Sequence, residues 1–205
     1  MNIGVVILAA GESARMGQPK QLLPYHGTTL LQRTIDIAHA LPGAPVVVVL
    51  GAHAAQIRTN IDDAGVIFAE NGRWREGMGG SLQVGLEALL AAHPALTAAI
   101  FLLCDQPFLP TDHLRNFIEL HERTRHTIIA SEYGGTLGVP ALFSAALFPE
   151  LLALNGPEGA RQIIQKHRSH AIGVSFEEGT VDIDTPADYA RLNESFKKVS
   201  VPTSV

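Results

Sequence analysis

Cysteine is almost missing: Cys104 is the single one in 205 residues. An intramolecular disulfide is therefore excluded, the fold must rest on its core, and a reducing compartment is expected. A basic segment leading into an apolar one is also missing at the start, which adds to the expectation of a cytoplasmic protein. No run of about 18 or more apolar residues occurs, so no membrane-crossing helix is expected. Basic runs are missing as well. With 15 Lys and Arg against 20 Asp and Glu, and a net charge of −5, the chain lacks the dense basic face that nucleic acid or an anionic membrane selects. Any polyanion it binds is expected to be small. The nine histidines include no H-E-x-x-H, and His167 and His170 lie among Lys166 and Arg168 on a solvated helix, so zinc is not expected.

What is present is apolar material for one core. Hydrophobic residues make up 46% and charged residues 17%, far from the composition of disordered chains, and the length suits one large domain of about 100–200 residues. That domain is expected over residues 1–196, with a flexible tail, "KKVSVPTSV", at 197–205. Short β-branched runs, "IGVVIL" (3–8), "PVVVVL" (45–50), "GVIFA" (65–69), "AAIFLLC" (98–104) and "TIIAS" (127–131), read as strands buried on both faces. Between them, residues 28–41, 53–64, 79–93 and 111–124 carry apolar positions at helical spacing. The order βαβαβαβαβ predicts an α/β fold: a single-domain, doubly wound, mostly parallel sheet of Rossmann-like type with its ligand site at the carboxyl ends of the strands. The pattern is less regular after residue 131, with a strand at 140–143 and short helices near 144–154 and 159–168. Thr185, Pro186 and Asp188 form a helix-start signature that places Asp182 and Asp184 just before a helix.

Both familiar glycine loops are missing from the first strand–helix connection. Gly11 and Gly17 are separated by five residues and Lys20 is followed by Gln21, which breaks the P-loop spacing, and only Gly11 fits a dinucleotide fingerprint. The loop reads G-x-S-x-R-M-G-x-P-K instead. Ala9, Ala10 and Gly11 let a ligand approach the main chain, and the 12–17 loop can turn successive N–H groups toward an anion. Arg15 can fork onto phosphate oxygens, and Lys20 can act as a point charge on a reacting phosphorus. Asp105, at the end of the strand "AAIFLLC", is placed to hold a hard cation bridging triphosphate oxygens. Cys104 reads as a small core hydrophobe and Trp74 as a core anchor.

The string "LAAGESARMGQPKQLLP" resembles the signature loop of the MobA-like NTP transferases. Its "LAAG" and "RMG" are closer to the molybdenum cofactor cytidylyltransferase (MocA) branch than to the guanylyltransferase branch. "NGRWREGMGGSL", "CDQP", "YGGTLGVPALF", "GARQII" and "VDIDTPADY" follow in the same order, so the resemblance covers nearly the whole chain. It implies a nucleotide-diphospho-sugar-transferase-like fold and transfer of CMP from CTP to the phosphate of molybdopterin, with pyrophosphate released. It implies nucleotide binding by Leu8, Ala9, Ala10, Gly11, Ser13, Arg15, Met16, Gly17 and Lys20, and by Gly77, Met78 and Ser81 of "GMGGSL". Lys20, Arg15 and Asp105 would be catalytic. Mg²⁺, or Mn²⁺ in its place, would be held by Asp105 and Asp184, with Asp182 as the alternate to Asp184. Tyr133, Gly135, Gly138 and Arg161 would face the acceptor, and a molybdoenzyme is the implied transient partner. One departure bears on the acceptor: the branch carries "GDxGAR", and this chain reads "GPEGAR", with Pro157 in place of the acid and Glu158 after it. A sugar-phosphate nucleotidyltransferase and a non-catalytic cofactor-binding chaperone are the alternative readings.

Overall fold

The computed structural model describes residues 2–62 and 65–199. Strand β1 (Ile3–Ala9) is buried at every position, as is β4 (Val46–Leu50), because both faces of their β-branched runs are covered by helices. In chain order the remaining elements are the two-residue strands β2 (Pro24–Tyr25) and β3 (Thr28–Thr29), helix α1 (Leu30–His39), α2 (Ala54–Arg58), β5 (Val66–Glu70), α3 (Met78–Ala92), β6 (Ala98–Leu103) and α4 (Thr111–Thr124). They are followed by β7 (Ile128–Tyr133), β8 (Thr136–Ser144), α5 (Phe148–Leu152), α6 (Ala160–Lys166), β9 (Ala171–Ser175) and α7 (Pro186–Val199). The main sheet has seven strands in the order β5-β4-β1-β6-β8-β7-β9. All neighbours are parallel except β8, which runs antiparallel to both β6 and β7. The α/β fold with a mostly parallel sheet is as expected.

Alternate residues of β1 feed two cores. Val5 and Ile7 pack with Leu31 and Ile35 of α1, Ile57 of α2 and Phe117 of α4 on one face. Val6 and Leu8 pack with Leu82, Leu86 and Leu89 of α3, Leu151 of α5 and Ile163 of α6 on the other. A third, smaller cluster lies beyond the strand ends, where Met16, Leu23, Tyr25 and Leu30 meet Ile183 and Leu192. It draws the loop after β1 onto the segment before α7. No helix among the described residues is long and apolar enough to cross a membrane.

Three expectations are corrected, and one strand, β9, is additional to them. The helix expected at 53–64 ends at Arg58, because the side chains of Thr59 and Asn60 both donate to the Gln56 carbonyl oxygen and compete with the helical ladder; residues 63 and 64 lie outside the described residues. Residues 28–29 belong to a small ribbon, and Thr29 then caps α1, its hydroxyl accepting from the Gln32 N–H at 3.1 Å. Strand β9 has no strong sequence signal: it is an edge strand, only half-buried, with Gly173 at its centre. Helix α7 continues to Val199, so 197–199 of the expected tail are helical, and 200–205 lie outside the described residues.

Candidate active site

The carboxyl ends of β1 and β6 carry a cluster of opposite charges. Lys20 Nζ lies 2.5 Å from Asp105 Oδ2 and 2.8 Å from Asp184 Oδ1, and Arg15 Nη2 lies 2.6 Å from Asp184 Oδ2. The Lys20 and Asp105 side chains are largely buried, whereas Arg15 is 71% exposed. Burial alone would lower the Lys20 ammonium, but Asp105 and Asp184 outweigh it and hold it above the ordinary lysine value. Hydrogen bonding to Lys20 keeps the Asp184 carboxyl below its usual range. Asp182 behaves in the opposite way. Burial, aided by the charges of Asp105 and Asp184, pushes it up to about 6.

The backbone explains how distant residues reach this point. Gln21 is buried, and its amide donates to the Ala9 and Gly11 carbonyl oxygens at 2.8 and 3.0 Å, which fastens the loop to the end of β1. Ser13 adopts a left-handed conformation (φ 58°), and its hydroxyl accepts from the Lys20 N–H at 3.1 Å. Ile183 is fully buried and its N–H donates to the Asp105 carbonyl oxygen at 3.3 Å. Its neighbours Asp182 and Asp184 are thereby set beside Asp105. Asp188 accepts from the Thr185 N–H and hydroxyl at 2.8 and 2.7 Å, and the Thr185 hydroxyl accepts from the Asp188 N–H, the capping arrangement expected of this helix start.

The carboxylates suit a divalent cation. Asp105 Oδ1 is buried and has no hydrogen-bond partner, which leaves a carboxylate oxygen open to a cation. Among the described residues no group of three or more His, Cys, Asp or Glu forms a ready-made metal cage. Asp105 and Asp184 with phosphate oxygens and water would match the sparse protein ligation that Mg²⁺ favours.

One chamber opens on this cluster and a second adjoins the first. The first, about 250 Å³, is lined by Leu8, Ala9, Ala10, Gly11, Lys20, Gly77, Met78, Ser81 and Asp105, all expected in the site, and by Gln21, Trp74, Leu103 and Cys104, which were not. The second, about 440 Å³, holds Tyr133, Gly138 and Arg161 together with Val139, Pro157, Glu158 and Gln162. Leu8, Met78 and Leu103 line both.

Several expected residues hold other places. Met16 is buried in the third apolar cluster, so it anchors the loop and does not face either chamber. Arg15, Ser13 and Gly17 lie outside the chamber walls; Gly17 has φ 73° and forms the turn closed on the Ser13 carbonyl oxygen. Gly135 sits exposed in the β7–β8 turn with φ 71°, away from the second chamber. Cys104 is buried, and burial pushes its thiol up to about 12, as fits a core residue. Gly77 serves a junction: with φ 125°, a Cβ there would come within 2.2 Å of the Gly156 carbonyl oxygen, while the Gly79 N–H donates to that oxygen at 3.1 Å.

The second chamber owes its shape to a break in register. The pairing of β7 with β8 jumps from Ala130–Ala141 to Ser131–Gly138, leaving Val139 and Pro140 extra. Their carbonyl oxygens are claimed by side chains: Val139 accepts from Tyr133 Oη and Gln106 Nε2 at 2.9 and 3.1 Å, and Pro140 from Ser131 Oγ at 3.0 Å. Tyr133 lies over Gly138, where a Cβ would approach its hydroxyl to 2.4 Å. Burial, then the charge of Asp182, raises the Tyr133 phenol.

Comparison with known proteins bears on this arrangement. Purine catabolism protein PucB of Bacillus subtilis is 31% identical over 90% of this chain and 92% of its own. Nicotine blue oxidoreductase of Paenarthrobacter nicotinovorans is 30% identical over 91% and 94%, and the molybdenum cofactor cytidylyltransferase of Escherichia coli is 24% identical over 96% and 98%. The crystal structure of Rv0371c from Mycobacterium tuberculosis superposes with a TM-score of 0.81 at 32% identity, covering 95% of this chain and 98% of that one. The same protein has also been solved as a manganese complex, with a TM-score of 0.76 at 32% identity and coverage of 95% and 100%. Residues 5–171 match the MobA-like NTP transferase domain, and the chain belongs to that family of nucleotidyltransferases.

Proposed function

We propose that the protein transfers the CMP of CTP onto the phosphate of a pterin acceptor of the molybdopterin type and releases pyrophosphate. The observation that carries this reading is the Lys20 ammonium bridging Asp105 and Asp184 at the mouth of a two-chambered cleft. The smaller chamber takes the nucleotide and the larger one the acceptor. The "LAAG" loop and the name of the E. coli relative support cytidine as the base.

Asp105 and Asp184 would hold Mg²⁺ or Mn²⁺, with Asp182 beside them, and the existence of a manganese complex of Rv0371c supports a divalent ion as cofactor. Such an ion, when bound, neutralises phosphate charge as a Lewis acid. Lys20, which sits between Asp105 and Asp184, would direct its ammonium at the α-phosphate, where negative charge develops. Arg15 leaves Asp184 for the β- and γ-phosphates, joined by the N–H groups of the loop. An acceptor phosphate oxygen forms its bond to the α-phosphorus in line with the breaking bond to the β-phosphate bridge, and pyrophosphate departs with that electron pair. The acceptor is already an anion, so no general base is called for. Arg161 and Tyr133 would orient it.

Pyrophosphate release measured across CTP, GTP, ATP and UTP, with molybdopterin, with a sugar phosphate and with no acceptor, tests the reading. CTP with molybdopterin should give release well above every other pair. Preference for GTP would replace the base, and release only with the sugar phosphate would replace the acceptor.

A further inference from the structure

The sheet order gives the first chamber a direction. Strand β1 lies between β4 and β6. Asp105 follows β6 and gathers Lys20 and Asp184 on that flank. Trp74 is seated on the opposite flank, against Gly51, which follows β4: a Cβ at position 51 would come within 2.7 Å of both the Trp74 Cβ and the Ala10 carbonyl oxygen. The chamber therefore has a charged end over β6 and an aromatic end over β4. A triphosphate belongs at the first, which leaves the base for the second.

Trp74 is held firmly there. Its backbone N–H donates to the Asn71 carbonyl oxygen at 3.2 Å, the Gly77 N–H donates to the Trp74 carbonyl oxygen at 3.4 Å, and the Asn71 side-chain amide donates to Ser81 Oγ on α3 at 3.0 Å. The Arg75 guanidinium stacks on the indole, 4.1 Å from its centroid. Ala9, Ala10, Gly11 and Gly77 offer a base only backbone and small side chains, and the Ser81 hydroxyl, which accepts from the Asn71 amide, keeps its own proton to donate. Among the described residues the indole is the one aromatic surface in the lining of this chamber, where Leu8, Met78 and Leu103 supply its aliphatic remainder. Any base presents a ring face to it, but a double ring reaches farther than a single one.

From this we infer that Trp74 is the residue that sets base size: the base lies against its indole, and the indole closes the chamber around a single ring. The inference rests on the first chamber being the nucleotide site. Trp74 is the sole tryptophan of the chain, so its fluorescence reports on this wall alone. CTP added with Mg²⁺ should quench it saturably, while inorganic tripolyphosphate, followed by calorimetry, should bind without quenching. Trp74→Ala should weaken CTP on the order of 5- to 150-fold, the scale of one lost base–aromatic stack, and bring GTP to an affinity comparable with CTP. Its tripolyphosphate affinity should stay unchanged, which verifies the fold, and Trp74→Phe should keep the preference for CTP. Calorimetric binding of CTP with a silent indole, or an unchanged CTP-to-GTP ratio in Trp74→Ala, overturns the role of Trp74 alone. Absence of any nucleotide binding overturns the nucleotide reading of the chamber and this inference with it.

Discussion

The two chambers share Leu8, Met78 and Leu103, yet they are assembled by different means. The first lies at the ends of the parallel strands β1 and β6, where the topology brings successive strand-end loops together and three charged side chains pair directly. The second lies where the antiparallel strand β8 interrupts the parallel order, and its wall is set by carbonyl oxygens that Tyr133, Gln106 and Ser131 hold in place. One region concentrates charge for chemistry that is common to a whole class of reactions. The other is a shaped surface, and Pro157, which stands where the resembled branch carries an acid, is part of its lining. Their junction is backbone on backbone, with Gly77 and Gly79 against Gly156 and its neighbours.

If this division is right, damage to the charged end should reach turnover and damage to the shaped end should reach acceptor affinity. The largest effect is expected from Lys20→Ala, which removes the ammonium that would face the reacting phosphorus; kcat should fall on the order of 10²–10³-fold, with a much smaller change in nucleotide affinity. Steady-state rates together with calorimetry check this. Asp105→Asn and Asp184→Asn should each weaken Mg²⁺-dependent CTP binding by about tenfold or more, the scale of a lost charge-assisted contact. A defect in Asp182→Asn without one in Asp184→Asn would move the ligand assignment by two residues. Arg161→Ala should raise the acceptor KM by about tenfold and leave CTP affinity unaltered, since a single charge-assisted hydrogen bond is lost; equal loss for both substrates would erase the distinction between the chambers.

The smallest effect concerns pH and the wall of the second chamber. His113 is buried between Phe117 and Phe176, and its Nε2 lies 2.9 Å from Ser131 Oγ, which itself donates to Pro140. Burial lowers its imidazole from 6.5 to about 4. Between those values the unfolded chain binds the proton more readily than the folded one, so this contribution to stability is complete above about 6.5 and is lost as pH falls toward 4. The melting temperature should decline over that window, and His113→Gln should flatten the decline, as scanning calorimetry at several pH values would reveal.

The parallel half and its charged residues were legible in the sequence because local signals carry them. Buried strands announce themselves as β-branched runs; Asp105 follows one of them, Asp184 precedes a helix-start signature, and Lys20 lies in the loop after the first strand. What was not legible depends on partners far away in the chain. Gln21 looks like an ordinary polar residue until it is seen fastening Ala9 and Gly11; Trp74 reads as core because nothing local reveals that Gly51 seats it beside a chamber. Met16 sits within the signature loop, yet packs with Ile183 and Leu192 from the far end of the chain. Gly135 and Gly138 are three residues apart in one glycine-bearing string, and only the register jump in β8 separates a turn glycine from a chamber glycine. Glycine spacing alone gives no sign of that jump.

The central claim is that a nucleotidyl group passes from one chamber to the other within a single cleft. Incubation with CTP labelled on the α-phosphate, molybdopterin and Mg²⁺, followed by separation of the products, tests it directly. The account predicts label on the acceptor in one-to-one ratio with pyrophosphate, and loss of both in Lys20→Ala. Label recovered as free CMP, or retained in CTP while the acceptor is bound, would contradict it.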